Sequence, residues 1–175
     1  VTRVVCETVK IPVFIKLTSE AVNIVDVAQR CKDAGAAGFT VVNRFSALDV
    51  DIETGRPLLH GGYAGVGGPW MRPITLKWIA KIATATGMPI SATNGISSWE
   101  DVIKAIMCGA TTVQTCTAVM YGTRQFGEVK VFLKGIEKYL IEHNIDDINK
   151  LRGITLPQII TWDNVDREHT AISKV

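Results

Sequence analysis

MPISATNGISSWEDV, residues 88–102, passes from strand to helix within one short stretch. PISAT (89–93) is a short apolar run that reads as a buried strand. It breaks at Asn94-Gly95. Glycine takes left-handed backbone freely, and asparagine is the other residue that best tolerates it. Ser97-x-x-Glu100 then forms a capping-box pattern, with Ser98-x-x-Asp101 as a second candidate. A helix should follow, with Trp99, Val102, Ile103 and Ile106 along one face. The unit is a strand, a tight turn and a capped helix. TTVQTCTAVMYG (111–122) repeats the pattern one strand later.

The same unit appears twice upstream. VFIKL (13–17) and GFTVVN (38–43) are apolar runs without clean alternation, as expected when both faces of a parallel strand are covered. Helical patterns follow the strands. Ile24, Val27, Ala28, Cys31 and Ala34 share a face between 22 and 34. Ile74, Trp78, Ile82 and Ala85 do so between 73 and 86, where Pro73 suits a first turn. Phe126, Val129, Leu133, Ile136 and Leu140 form the stripe between 125 and 142. Gly35, Gly87 and Gly109 stand where helices should stop. The order is four βα units, so the chain is an α/β protein with a parallel sheet, either doubly wound or closed as a barrel. Two of the strand spacings are about 25 residues, as in an α/β barrel. The third is stretched by a Gly-rich loop over 44–72. Four units make half of a (β/α)8 TIM barrel, so the expected architecture is the C-terminal half of one. Residues 1–145 form the half barrel, and 146–175 form a tail with one short helix and then extended surface structure. The first residues read as the last turns of a helix that begins earlier. The expected partner is therefore the N-terminal half of the barrel, in the same or another chain.

Bulk properties narrow the function. The 175 residues are 47% hydrophobic with a net charge of +2 and no basic block, which argues against nucleic acid as a partner. No apolar run approaches the roughly 20 residues of a spanning helix, so no membrane partner is expected. Cys6, Cys31, Cys108 and Cys116 are widely spaced without a C-x-x-C, which reads as reduced thiols in a cytoplasmic protein and not as a metal site.

In parallel α/β folds ligands bind beyond the carboxyl ends of the strands. That rule selects Lys16, Asn43, the loop 61–72, Thr93-Asn94-Gly95 and Cys116-Thr117. Lys16 sits inside an apolar strand. Either its ammonium snorkels to the rim, or it meets an anion such as the reduced edge of a flavin. Asn43 ends the second strand. It either caps the strand or offers donors and acceptors to a cyclic amide. Arg44 beside it either holds a carboxylate or phosphate or points to solvent. HGGYAGVGGPWMRP has five glycines between His60 and Pro69, which permit close backbone approach to a ligand. His60 itself reads as a surface loop residue. The turns at Asn94-Gly95 and Cys116-Thr117 are either plain βα turns or a paired phosphate cradle on the last two strands. Glu100 and Asp101 place negative charge near that helix start.

FIKLT, FTVVNRFSAL, YAGVGGPWMRPITL, ISATNGISSWEDVIKAIMCGATTVQTCTAV and LRGITLP together resemble the C-terminal half of the dihydroorotate and dihydropyrimidine dehydrogenase family, FMN-dependent α/β barrels. KLT and CTAV look nearer the dihydropyrimidine branch. The resemblance implies FMN contacts from Lys16, Gly65 and Gly67, phosphate binding by Asn94, Gly95, Cys116 and Thr117, and a pyrimidine ligand on Asn43. Relatives usually have Gly where this chain has Asn94. Arg44 replaces a small hydroxyl residue, which disfavours uracil or thymine and leaves room for an acidic ring such as orotate. The implied reaction passes hydride between ring C6 and flavin N5. The implied catalytic base lies in the first half of the barrel, so no proton-transfer residue is assigned here. Further implied partners are a second copy of the chain and an iron–sulfur or flavin electron-transfer protein. Two other readings of the residues stay open: a phosphate-binding half barrel without redox activity, and a non-flavin barrel enzyme acting on a phosphorylated metabolite.

Overall fold

The computed structural model describes residues 1–59 and 62–160. His60, and the extended structure expected over 161–175, lie outside the described residues. The core is a four-stranded parallel sheet in the order β1 (Phe14–Thr18), β2 (Gly38–Asn43), β5 (Ile90–Ala92), β6 (Thr112–Val113). The intervening β3 (Phe45–Ala47) and β4 (Ala64–Val66) form a separate antiparallel hairpin. This hairpin falls inside the stretch read as loop, because its strands are too short to show a pattern. The runs expected at 89–93 and 111–116 are trimmed to β5 and β6. Ladder bonds nevertheless continue past β5, with Thr93 N–H donating to Val41 O and Val42 N–H to Thr93 O.

Each sheet strand leads into a helix: α2 (Ile24–Asp33), α3 (Arg72–Thr86), α4 (Trp99–Met107), and the short α5 (Thr117–Tyr121) with α6 (Gly127–Glu142). Strands sit in sequence order, and α2 packs on α3, α3 on α4, α4 on α6. A doubly wound sheet would reverse its strand order at a switch point and split its helices between two faces. Sequential winding with each helix beside the next is the arrangement of a barrel wall, here open at β1 and β6. The leading helix α1 (Thr2–Thr8) lies ahead of β1 and buries none of its residues.

The core lies between sheet and helices, around Leu17, Phe39, Val41, Ile79, Ile82, Ile90 and Ala105. Several expected stripe residues fall elsewhere. In α2, Val27 is exposed, and Val25 packs on the core instead. In α3, the buried line is Thr75, Ile79, Ile82 and Thr86, while Ala85 faces out. In α6, Phe132 is the buried residue. Phe126 is 82% exposed and Leu133 61%, with Val129 exposed beside them. Val129 and Leu133 border a cavity with Val113 of β6, which among the described residues is the edge strand of the sheet. The other sheet edge is similar: Phe14 on β1 is 46% exposed. After α6 the chain makes two short 3-10 turns, Ile148–Leu151 and Leu156–Gln158, in place of the single helix expected. Leu151 is buried against Ile103 and Ile106 of α4.

Candidate functional site

Beyond the carboxyl ends of the four sheet strands lies a cavity of about 640 Å³. Lys16, Arg44, Gly65, Gly67, Asn94, Gly95, Cys116 and Thr117 all line it. Eight of the residues selected from sequence thus share one wall system, contributed by all four βα units. Asn43 does not line it. This residue ends β2 with its side chain exposed, and it borders a smaller cavity of about 280 Å³ with Glu20, Arg44 and Tyr63. Arg44 and Gly65 line both spaces, so the two adjoin.

Lys16, read as either snorkelling to the rim or meeting an anion, is exposed. Its strand is apolar on the side that meets the helices, where Leu17 is buried. Lys16 projects from the opposite face, with Thr40 of β2 in register beside it. That face is uncovered, so the ammonium needs no protein partner, and among the described residues it forms no ion pair.

The turn after β5 is held from three directions. Asn94 and Gly95 both adopt positive φ, 77° and 87°. Thr75 of α3 donates its hydroxyl to Asn94 O at 2.9 Å. Thr115, beyond β6, donates to Ile96 O at 3.0 Å. Asp101 of α4 completes the grip. Its Oδ2 accepts from Ser97 N–H, Ser97 Oγ and Ser98 N–H at 3.1, 2.9 and 3.2 Å. Its Oδ1 meets Arg72 Nη1 at 2.8 Å. The capping box therefore runs from Ser98 to Asp101, and not from Ser97 to Glu100. Asp101 is only 1% exposed. Burial alone would raise its carboxyl pKa, but the Ser97 hydrogen bonds and the Arg72 charge together hold it below the ordinary carboxylate value of 3.8. The Asp101 charge at this helix start is thus turned inward and paired with Arg72, while Glu100 beside it is exposed. Neither carboxylate lines the cavity.

Gly95 is the strict position of the turn. A Cβ there would sit 2.5 Å from Arg72 N and 2.7 Å from Arg72 Cα, both backbone atoms at the start of α3. Gly65 and Gly67 are tight in a softer way. Their added Cβ atoms would meet side chains, Arg44 Nε at 2.9 Å and Asn94 Oδ1 at 2.7 Å. The glycine loop is steadied by Trp70, whose Nε1 donates to Gly67 O at 3.2 Å and whose ring stacks on Phe45 of the hairpin. Thr93, Gln114 and Thr115 also line the cavity. Gln114 Nε2 donates to Ser91 Oγ at 2.8 Å. Arg72, Thr75 and Asp101 were not read as site residues, because they act on the turn from behind. Only the capping-box spacing pointed to Asp101.

The fold and site define a class: a parallel α/β half barrel with a ligand cavity at the strand ends and a glycine turn on the penultimate strand. Within that class the chain belongs to the dihydroorotate dehydrogenase family, whose profile matches residues 1–140. It is 36% identical to dihydroorotate dehydrogenase B (NAD(+)), catalytic subunit, of Petrotoga mobilis, over 87% of this chain and 49% of that protein. It is 33% identical to the protein of the same name from Methanosarcina mazei, over 88% of this chain and 48% of the other. The Anoxybacillus flavithermus protein of that name is 38% identical over 67% of this chain and 38% of its own length. The chain spans about half the length of the curated relatives it matches. These names give no support to the dihydropyrimidine branch suggested by KLT and CTAV.

The residues present fit the flavin mononucleotide that the family implies. The cavity lies in the usual range for a small-molecule site. It offers a cation at Lys16, backbone brought close at Gly65, Gly67 and Gly95, and first-turn N–H groups of α5 that have no helical acceptor. The buried Asn94 Nδ2 has no hydrogen-bond partner among the described residues.

Proposed function

We propose that the chain is the cofactor-binding half of an FMN-dependent dihydroorotate dehydrogenase, an oxidoreductase of the CH–CH class. The observation that carries this reading is the convergence of Lys16, Gly65, Gly67, Asn94, Gly95, Cys116 and Thr117 on one cavity in a chain of this family. The turn at Asn94-Gly95 and the start of α5 at Cys116-Thr117 hold the phosphate of the cofactor through backbone N–H groups. Gly65 and Gly67 meet it by backbone. Lys16 places positive charge where electron density accumulates on reduction. A flavin held by these residues would supply a hydride acceptor for the substrate ring. Asn43 and Arg44 orient the substrate ring from the adjoining cavity. The proton at C5 is taken by a base outside these residues, in the half of the barrel that completes the open edges at β1 and β6.

The relatives are named as catalytic subunits using NAD(+), which supports a separate electron-transfer partner for this protein as well. Residues 1–145 act as the half barrel, and 146–160 brace α4 from outside. The experiment is to purify the full-length protein and record its visible spectrum, then add dihydroorotate without oxygen. Flavin absorption that bleaches on dihydroorotate is expected. A colourless protein that takes up no added FMN would refute the reading.

A further inference from the structure

On the outer, helix-covered side of the sheet lies an apolar groove of about 660 Å³. Val25 of α2, Leu76 and Ala80 of α3, Cys108 after α4, and Leu156 and Ile159 beyond α6 line it. The groove shares no lining residue with the cofactor cavity, and none of its lining comes from β1 or β6. The half of the barrel that completes those two edges therefore meets the chain elsewhere. Lys77 and Lys81 also line the groove, and both are exposed. Their ammonium groups lie 4.1 and 5.7 Å from the centroid of the Trp78 ring. Among the described residues neither forms an ion pair. An apolar floor with a cationic rim suits an occupant that is both apolar and acidic.

The chain itself supplies such an occupant. Past Ile160 the sequence runs TWDNVDRE (161–168). Trp162 and Val165 are its apolar residues, and Asp163, Asp166 and Glu168 outnumber Arg167. Trp162 stands three residues beyond Ile159, which already lines the groove. Three residues reach at most about 10 Å, so Trp162 has no other element of the chain closer along the backbone to pack on. We propose that residues 161–168 dock in this groove of their own chain, with Trp162 on the apolar floor and Asp163 and Asp166 towards Lys77 and Lys81. The indole supplies most of the attraction, since a tryptophan buries about 150–250 Å². The carboxylates set the direction of the segment, because exposed ion pairs contribute little to strength. Docked there, the segment joins α2, α3 and the end of α4 from outside. It lies behind the helix whose Thr75 holds the cofactor turn.

The test uses the full-length protein and two measurements. Zero-length carbodiimide cross-linking, mapped by mass spectrometry, should join Lys77 or Lys81 to Asp163 or Asp166. Mixing isotope-labelled with unlabelled protein separates bonds within a chain from bonds between copies. Cys108 is the second reporter, because it lines the groove. Burial pushes its thiol up, so alkylation is run in mild alkali. Trp162→Ala should speed Cys108 alkylation by about tenfold, and Trp162→Phe should stay within about twofold of wild type. Cys116, in the cofactor cavity, should react at the same rate in all three proteins. An unchanged Cys108 rate in Trp162→Ala would overturn the proposal, as would a rate that rises equally at Cys116. Cross-links formed only between copies would overturn docking within the chain, and their complete absence would overturn the pairing with Lys77 and Lys81. The cross-link needs no variant, so it decides even where Trp162→Ala fails to fold. Neither measurement involves flavin, so the oxidoreductase reading stands or falls separately.

Discussion

Gly95→Ala separates the two costs of a side chain at the cofactor turn. The first is conformational. An alanine held at φ 87° lies in left-handed backbone and loses about 1 kcal/mol relative to glycine. The second is steric. The new Cβ would stand 2.5 Å from Arg72 N and 2.7 Å from Arg72 Cα. Those atoms open α3, which is anchored by buried Thr75, Ile79 and Ile82, so they cannot retreat as a side-chain tip could. Overpacking of this kind costs about 1–3 kcal/mol. The sum is about 2–4 kcal/mol, or a fall in thermal midpoint of about 4–16 °C for a chain of this size. Gly87→Ala is the internal control. Gly87 has φ 62° and nothing within 4 Å of an added Cβ, so it carries the first cost alone. The assay is thermal unfolding of full-length protein with both variants, paired with FMN titration of the stripped protein. Gly95→Ala should lose at least twice as much stability as Gly87→Ala and should bind FMN about tenfold or more weakly, since the turn moves into the cavity. Equal midpoints for the two variants, with FMN affinity unchanged, would refute the claim that α3 backs the turn.

Asn94→Gly should keep FMN, because glycine accepts the same φ of 77°; spectrophotometric titration reads this, and loss of flavin would show that the amide itself is required. Thr75→Val should cost about 1–2 kcal/mol in denaturant unfolding, since it strands the Asn94 carbonyl without its 2.9 Å donor. Lys16→Gln should leave the unfolding midpoint unchanged and weaken flavin binding, because the ammonium is exposed and has no ion-pair partner among the described residues. Asp101 has a lowered pKa in the folded protein, so its stabilisation is fully present above the ordinary value of 3.8 and drains away as pH falls through the folded value. Asp101→Asn should therefore be less stable than wild type at about pH 6, with the gap narrowing towards about pH 3 in urea unfolding; a gap that widens in acid would reverse the assigned sign.

Much of this arrangement was legible in local sequence, for identifiable reasons. Strand, turn and capped helix are short-range events, so Asn94-Gly95 and Ser98-x-x-Asp101 announced the βα unit directly. Contact between units is not short-range. Nothing in ITLKW says that Thr75 is fully buried with its hydroxyl on a carbonyl of the next unit. Nor does the apolar setting of Lys16 reveal that its face of β1 is uncovered. Phe126, Val129 and Leu133 fit a helical stripe, but a stripe gives a face without naming what covers it. The bond from Ser46 N–H to Glu20 Oε1 was not foreseen, because Ser46 lies 26 residues away on a hairpin too short to read from pattern.

The threonine grips also bear on how such barrels can be recombined. The turn after β5 belongs by sequence to the third βα unit, yet its carbonyls are fastened by Thr75 from the second and Thr115 from the fourth. A chimera that imports only residues 88–109 carries the motif without its fasteners. Exchange between related barrels should therefore preserve flavin binding only when the transplanted block reaches from the start of α3 to the start of α5. The smallest portable piece of this turn is about two units long, although its recognisable signature is contained in one.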